Sequence, residues 1–165
     1  MRPAPTTRTQ YRAFSTLTTR WIDNDIYGHM NNAVHYQLFD TAVNGHLLAQ
    51  GALDLRGGDG VFLVVETGCH YFSELAFPDL VTAGIKLRKL GRSSVTYEVG
   101  LFRGEAQSAA AQGHFVHVYV DRETRRPMAM ATDVRHPLAP PHELSEPRRR
   151  PSPHPIPLSL RNCRS

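Results

Sequence analysis

Residues 21–32 read Trp-Ile-Asp-Asn-Asp-Ile-Tyr-Gly-His-Met-Asn-Asn, a short segment that holds two carboxylates (Asp23, Asp25), an imidazole (His29) and the amides of Asn31 and Asn32. That set suits acyl transfer or hydrolysis. If a helix starts where the segment ends, a carbonyl oxygen aimed at its first turn meets free backbone N–H groups and the positive end of the helix dipole. Those donors stabilise the negative charge that develops when the carbonyl is attacked. A carboxylate from the loop can then attack the carbon directly or draw a proton from water. Of the two, Asp25 is the candidate for chemistry, whereas Asp23 is expected to accept hydrogen bonds from the loop backbone.

The elements that must position these groups follow from periodicity. Val34, Leu38 and Ala42, with Tyr36, Phe39, Val43 and Leu47, recur at steps of three and four from Asn32 onward, the stripe of a core-facing helix. Asn31 or Asn32 would cap its start and Gly51 would stop it. Its length is then about 28 Å, enough to cross a small sheet. A short strand precedes it at 14–20. Strands are expected after it at 61–74, 80–90, 93–103 and 108–120, with turns at Phe77-Pro78-Asp79, Gly91-Arg92 and Gly104-Glu105, and 128–135 adds a last edge strand. Short turns favour antiparallel neighbours. The expectation is an α+β domain, one long helix laid across one face of an antiparallel sheet of about five strands. One helix cannot cover both faces and the edges, so a second copy of the chain is the expected cover.

Composition narrows the remaining choices. The chain has 165 residues, 41% of them apolar, which fits one folded domain. Residues 1–138 carry 14 Lys and Arg against 13 Asp and Glu, so most of the net charge of +4 belongs to 139–165. That segment also holds seven of the twelve prolines and no aromatic residue, the composition of a flexible Pro/Arg-rich tail. The expected organisation is an N-terminal arm at 1–12, a domain at 13–138 and the tail at 139–165. The apolar run Val61-Phe62-Leu63-Val64-Val65 falls far short of the roughly 20 residues that span a membrane. The first fifteen residues lack the apolar stretch of a secretory signal, and only Cys69 and Cys163 are present, so a reducing cytoplasm is the default setting.

Several separated motifs then line up in order: D-N-D-x-x-G-H-M-N-N-A-x-x-Y from Asp23, F-D at Phe39-Asp40, Y-F-S-E-L-x-F-P-D from Tyr71, and L-G-R-S-S from Leu90. Together they closely resemble the hotdog-fold acyl-CoA thioesterases of the 4-hydroxybenzoyl-CoA thioesterase type, over roughly residues 12–136. The resemblance implies a long helix wrapped by an antiparallel sheet, with protomers joined as a homodimer or homotetramer and active sites between them. It implies that Asp25 is the catalytic carboxylate, as nucleophile or general base, and that the backbone N–H of Asn32 polarises the thioester carbonyl. His29 matches a histidine of the H-x-N-N variants, which include plant acyl-carrier-protein thioesterases; those enzymes carry an Asn where this chain has Tyr27. Tyr27 and Gly28 fall in the substrate-binding loop; Tyr36, like Phe39, is a core residue or a lining of the acyl pocket, and Glu66 is an exposed strand residue or one that faces a neighbouring protomer's site. Arg92 and Ser93 match the region that meets the CoA nucleotide or pantetheine arm, where an arginine fork suits phosphate.

The function implied is hydrolysis of an acyl-CoA to free acid and CoA, with no cofactor, because a thioester is already activated. An acyl-carrier-protein thioesterase and a non-catalytic acyl-CoA-binding module are the alternatives. A metal centre is not expected: the rings of His114 and His117 would point to opposite faces of a strand, and His29, His35 and His46 lack the spacing of zinc motifs. The arginine run 148–150 has no interleaved aromatics, which argues against a nucleic-acid partner.

Overall fold

A computed structural model describes residues 3–54 and 57–138. The central helix α1 spans Asn32–Ala49. Asn31 caps it, its side-chain oxygen accepting from the Ala33 N–H at 2.9 Å. Gly51 ends it in the left-handed region (φ 71°), which a residue without Cβ adopts freely. The expected stripe is the buried one: Val34, Leu38, Phe39, Ala42, Val43 and Leu47 face inward, joined by His35.

Five strands form a single antiparallel sheet: β1 (Ala13–Thr18), β2 (Gly60–Tyr71), β3 (Leu80–Leu90), β4 (Ser94–Arg103) and β5 (Ala111–Asp121). Their order is β1-β3-β4-β5-β2, so the two strands that flank α1 in sequence lie on opposite edges and the helix carries the chain from one to the other. On the inner face Val95, Tyr97, Val99 and Leu101 of β4 and Phe115 of β5 meet the helix. Gly113 lets it come close, since a Cβ there would lie 2.4 Å from the Phe39 ring.

Two features depart from the expectation. Residues 128–135 are not an edge strand. After a single bridge from Val120 to Pro127, the Met130 N–H donates to the Arg92 carbonyl at 3.0 Å and the chain enters a short helix, α2 (Thr132–Arg135). The Met128 N–H donates to the Tyr119 carbonyl at 3.0 Å, but the Tyr119 N–H is taken by the Ser93 carbonyl (2.7 Å), so the ladder is not extended past this bridge. The fifth strand is β1, before the helix, and four strands follow. The N-terminal arm, for its part, packs on the sheet's outer face. Tyr11 is buried over Gly84 and Gly100, where added Cβ atoms would come within 2.8 and 2.7 Å of its ring. Its ring meets Phe102 edge-on at 5.5 Å, and the Arg8 guanidinium lies 4.9 Å from the Phe102 centroid. The tail at 139–165 lies outside the described residues.

Candidate active site

The 21–32 loop folds around its own carboxylates. Asp23 is 3% exposed and accepts from the Arg20 backbone N–H (2.7 Å), Nε (3.0 Å) and Nη2 (2.7 Å). Hydrogen bonds from the Arg20 guanidinium hold its carboxyl below the usual carboxylate range. It serves as the loop acceptor that its place in the sequence suggests.

Asp25 is half-buried, and its Oδ1 accepts from the N–H groups of Tyr27 (2.8 Å) and His29 (3.2 Å). Its N–H donates to the His29 carbonyl at 2.8 Å, and its carbonyl accepts from Gly28, whose φ of 83° closes the turn. Oδ2 receives no hydrogen bond from the described residues. Two bonds fasten the loop to segment 72–79: Met30 N–H to the Leu75 carbonyl at 2.7 Å, and Phe77 N–H to Asn24 Oδ1 at 2.9 Å.

A cleft of about 260 Å³ opens where this loop, the start of α1 and the end of β2 meet. Asn32 lines it, and so do His29, His35, Tyr71, Ser73 and Glu74, with Met30 and Leu75 as apolar wall. At the helix start, Asn31 takes up the Ala33 N–H with its side chain and the Val34 N–H with its carbonyl. The N–H of Asn32 is left without a partner among the described residues, and it is the donor an oxyanion at this position would need.

Polar and ionisable side chains interrupt the apolar wall of the cleft. His29 Nε2 lies 3.2 Å from Glu74 Oε1, with His29 half exposed and Glu74 more so. His35 is buried, its Nδ1 3.2 Å from the Asn31 carbonyl and its ring edge-on to Tyr71 at 4.9 Å. Burial pushes its pKa down, so the ring is neutral near pH 7. Burial pushes the Tyr71 phenol up, and burial raises the Cys69 thiol to about 11.

The residues singled out in the sequence therefore separate into groups. His29 and Asn32 line the cleft. Asp25, Tyr27 and Gly28 build the loop beside it, with the Tyr27 side chain 77% exposed. Tyr36 packs against the core, its ring edge-on to Phe39 at 6.0 Å, and is not among the residues that line the cleft. Glu66 lies on the outer sheet face, 2.9 Å from His114 Nε2, and within one chain it does not meet the cleft. Arg92 and Ser93 sit in the β3–β4 turn at the opposite end of the sheet, roughly 30 Å of strand away. Glu74, His35, Tyr71 and Ser73 were not anticipated as lining residues. The Y-F-S-E-L motif was the only signal for three of them, and His35 lies on the buried helix face one position from the apolar stripe. Among the described residues no cluster of His, Cys, Asp or Glu could hold a metal ion, and no helix is long and apolar enough to cross a membrane.

Comparison with known proteins agrees with this geometry. Residues 18–138 match the family model of the thioesterase-like superfamily. A crystal structure of the PA5185 protein of Pseudomonas aeruginosa strain PAO1 is 47% identical, covers 82% of this chain and 94% of its own, and superposes with a TM-score of 0.79. A second Pseudomonas aeruginosa protein, the putative thioesterase PA2801, is 26% identical over 79% of this chain and 98% of its own, with a TM-score of 0.70. A 1,4-dihydroxy-2-naphthoyl-CoA thioesterase from Synechocystis shares the fold at 15% identity, covering 73% of this chain and 93% of its own with a TM-score of 0.65. No curated protein sequence matches significantly. A helix-capped cleft on a five-stranded antiparallel sheet, together with a family match over nearly the whole described body, makes this chain a hotdog-fold thioester hydrolase that belongs to the thioesterase-like superfamily.

Proposed function

We propose that the protein hydrolyses an acyl-CoA to the free acid and CoA, with Asp25 as the nucleophile or general base and the backbone N–H of Asn32 as oxyanion donor. The observation that carries this reading is the unpartnered Asn32 N–H opening onto the cleft beside His29. A thioester carbonyl seated there gains a hydrogen bond that strengthens as its oxygen becomes an oxyanion. Oδ2 of Asp25 is the free carboxylate oxygen of the loop, and Oδ1 keeps it in place. The half-buried free thiol of Cys69 agrees with work in the reducing cytoplasm.

The working form is a homodimer or homotetramer. β2 is a long edge strand with Leu63, Val64 and Val65 exposed, and Trp21, Ile22 and Ile26 stand almost fully exposed at the loop. Such an edge invites pairing. Antiparallel pairing along β2 turns the second copy end for end, so that its 92–93 turn lies toward this cleft and can meet the CoA phosphates.

Thiol release from a panel of acyl-CoAs, followed with dithionitrobenzoate, tests the reading. Asp25→Asn should abolish release while acyl-CoA binding, measured by calorimetry, persists. Undiminished turnover in that variant refutes the assignment of Asp25, and binding without turnover by the unaltered protein marks a non-catalytic acyl-CoA module.

A further inference from the structure

We infer that Glu74 is a positioning residue that holds His29 as the group returning a proton to the departing sulfur, an assignment that rests on the acyl-CoA hydrolase reading above. His29 comes from the loop before α1 and Glu74 from the segment after β2, and they meet at 3.2 Å on the wall of the cleft that contains the free Asn32 amide. An ion pair as exposed as this one contributes little to folding. Its place in the fold is better explained by the chemistry beside it.

Hydrolysis needs two proton movements. Water adds to the carbonyl carbon and its proton passes to the Asp25 carboxylate, leaving a tetrahedral oxyanion on the Asn32 N–H. The intermediate collapses by breaking the C–S bond, with the electron pair going to sulfur. Glu74 lies against Nε2 of His29, so the proton on Nδ1 of the imidazolium is the one free to be given to sulfur, and the product is a thiol. Asp25 and His29 then exchange their protons with solvent, and the balance closes without any other reactant. The Glu74 carboxylate offsets the imidazolium charge and fixes the ring, as a buried carboxylate does for the histidine of a serine hydrolase. The backbone from which the ring projects is itself fixed, because the His29 N–H and carbonyl are both bonded to Asp25. Base and acid are thereby set on one loop.

The test uses the full chain with E74Q, H29A and the double variant. Glu74 is on the surface, so folding should survive, and circular dichroism checks it. On acyl-CoA, E74Q should lower kcat roughly tenfold or more with KM nearly unchanged, and E74D should recover part of the loss. The double variant should be no slower than H29A alone, because Glu74 acts through His29. With a thiophenol ester, whose thiolate leaves without a proton, E74Q and the parent should have nearly equal kcat. Full kcat for E74Q on acyl-CoA, additive losses in the double variant, or the same loss with both leaving groups would each overturn the inference. A parent protein inert on every acyl-CoA would instead defeat the substrate reading on which it rests.

Discussion

His117 offers a sharp test of how this core is built. It lies on the inner face of β5, 1% exposed, ringed by Phe115 (centroids 5.0 Å apart), Phe62 (5.6 Å) and Tyr97 (6.0 Å). Its Nδ1 has no hydrogen-bond partner among the described residues. Burial pushes its pKa down from 6.5 to about 4, because a charged ring in that aromatic pocket loses its hydration. The unfolded chain therefore binds a proton that the folded chain refuses. Stability is full above pH 6.5 and falls as the pH drops toward 4. The depression corresponds to about 3 kcal/mol in total, of which about 2 kcal/mol is lost by pH 5.

His117→Phe keeps the ring and removes the titration. Urea unfolding at pH 8 and pH 5 measures the effect: the parent should lose about 2 kcal/mol more than the variant between the two. The buried His35 and the half-buried His46, whose pKa values desolvation also lowers, contribute the same slope to both proteins and cancel. An unchanged pH slope in His117→Phe refutes the argument, since it would mean that the imidazole is hydrated or paired in the native state.

Two further perturbations probe the supports of the site. Gly100→Ala brings a Cβ to 2.7 Å from the Tyr11 ring and should cost about 1–3 kcal/mol in urea unfolding; an unaffected midpoint would show that the N-terminal arm does not press on the sheet in solution. Asn31→Ala removes the cap on the Ala33 N–H and should cost about 1 kcal/mol. Stability equal to the parent's would show that another acceptor caps the helix.

What sequence could reveal here was local. Leu80–Leu90 appears with the expected bounds because Asp79 and Gly91 punctuate it on both sides. The cap at Asn31 and the stop at Gly51 rest on single-residue chemistry. β5 begins three residues later than expected because the Ala110 carbonyl is taken by the N–H groups of Phe72 and Ser73, which ties that stretch to the cleft before the β2 ladder starts. The edge strand expected at 128–135 stops after one bridge because the Tyr119 N–H that would extend it is taken by the Ser93 carbonyl. Glu74 was invisible for a different reason. Its partner is 45 positions away, and only the sheet order, with β2 returning to the start of α1, brings the two together. Arg92 lies at the far end of the sheet within one chain, and the pairing along β2 proposed above is what would bring a second copy's 92–93 turn to this cleft.

The loop's neighbouring carboxylates differ in what holds them, and that difference decides what each can do. All the acceptor capacity seen for Asp23 is spent on Arg20, an arrangement that closes the 3-10 turn at Trp21–Asp23 and commits that carboxylate to structure. Asp25 spends only Oδ1, on amides two and four residues ahead, so the same bonds that shape the turn leave a second oxygen available. The helix start divides its donors in a similar way. Asn31 reaches over its neighbour to cap Ala33, and the skipped amide is the one on the cleft. An acceptor that capped Asn32 instead would stabilise the helix equally well and would fill the position proposed above for the thioester oxygen. Under the proposed mechanism, folding and chemistry draw on the same few donors and acceptors, and the Asn32 N–H and Asp25 Oδ2 are groups that folding leaves unused.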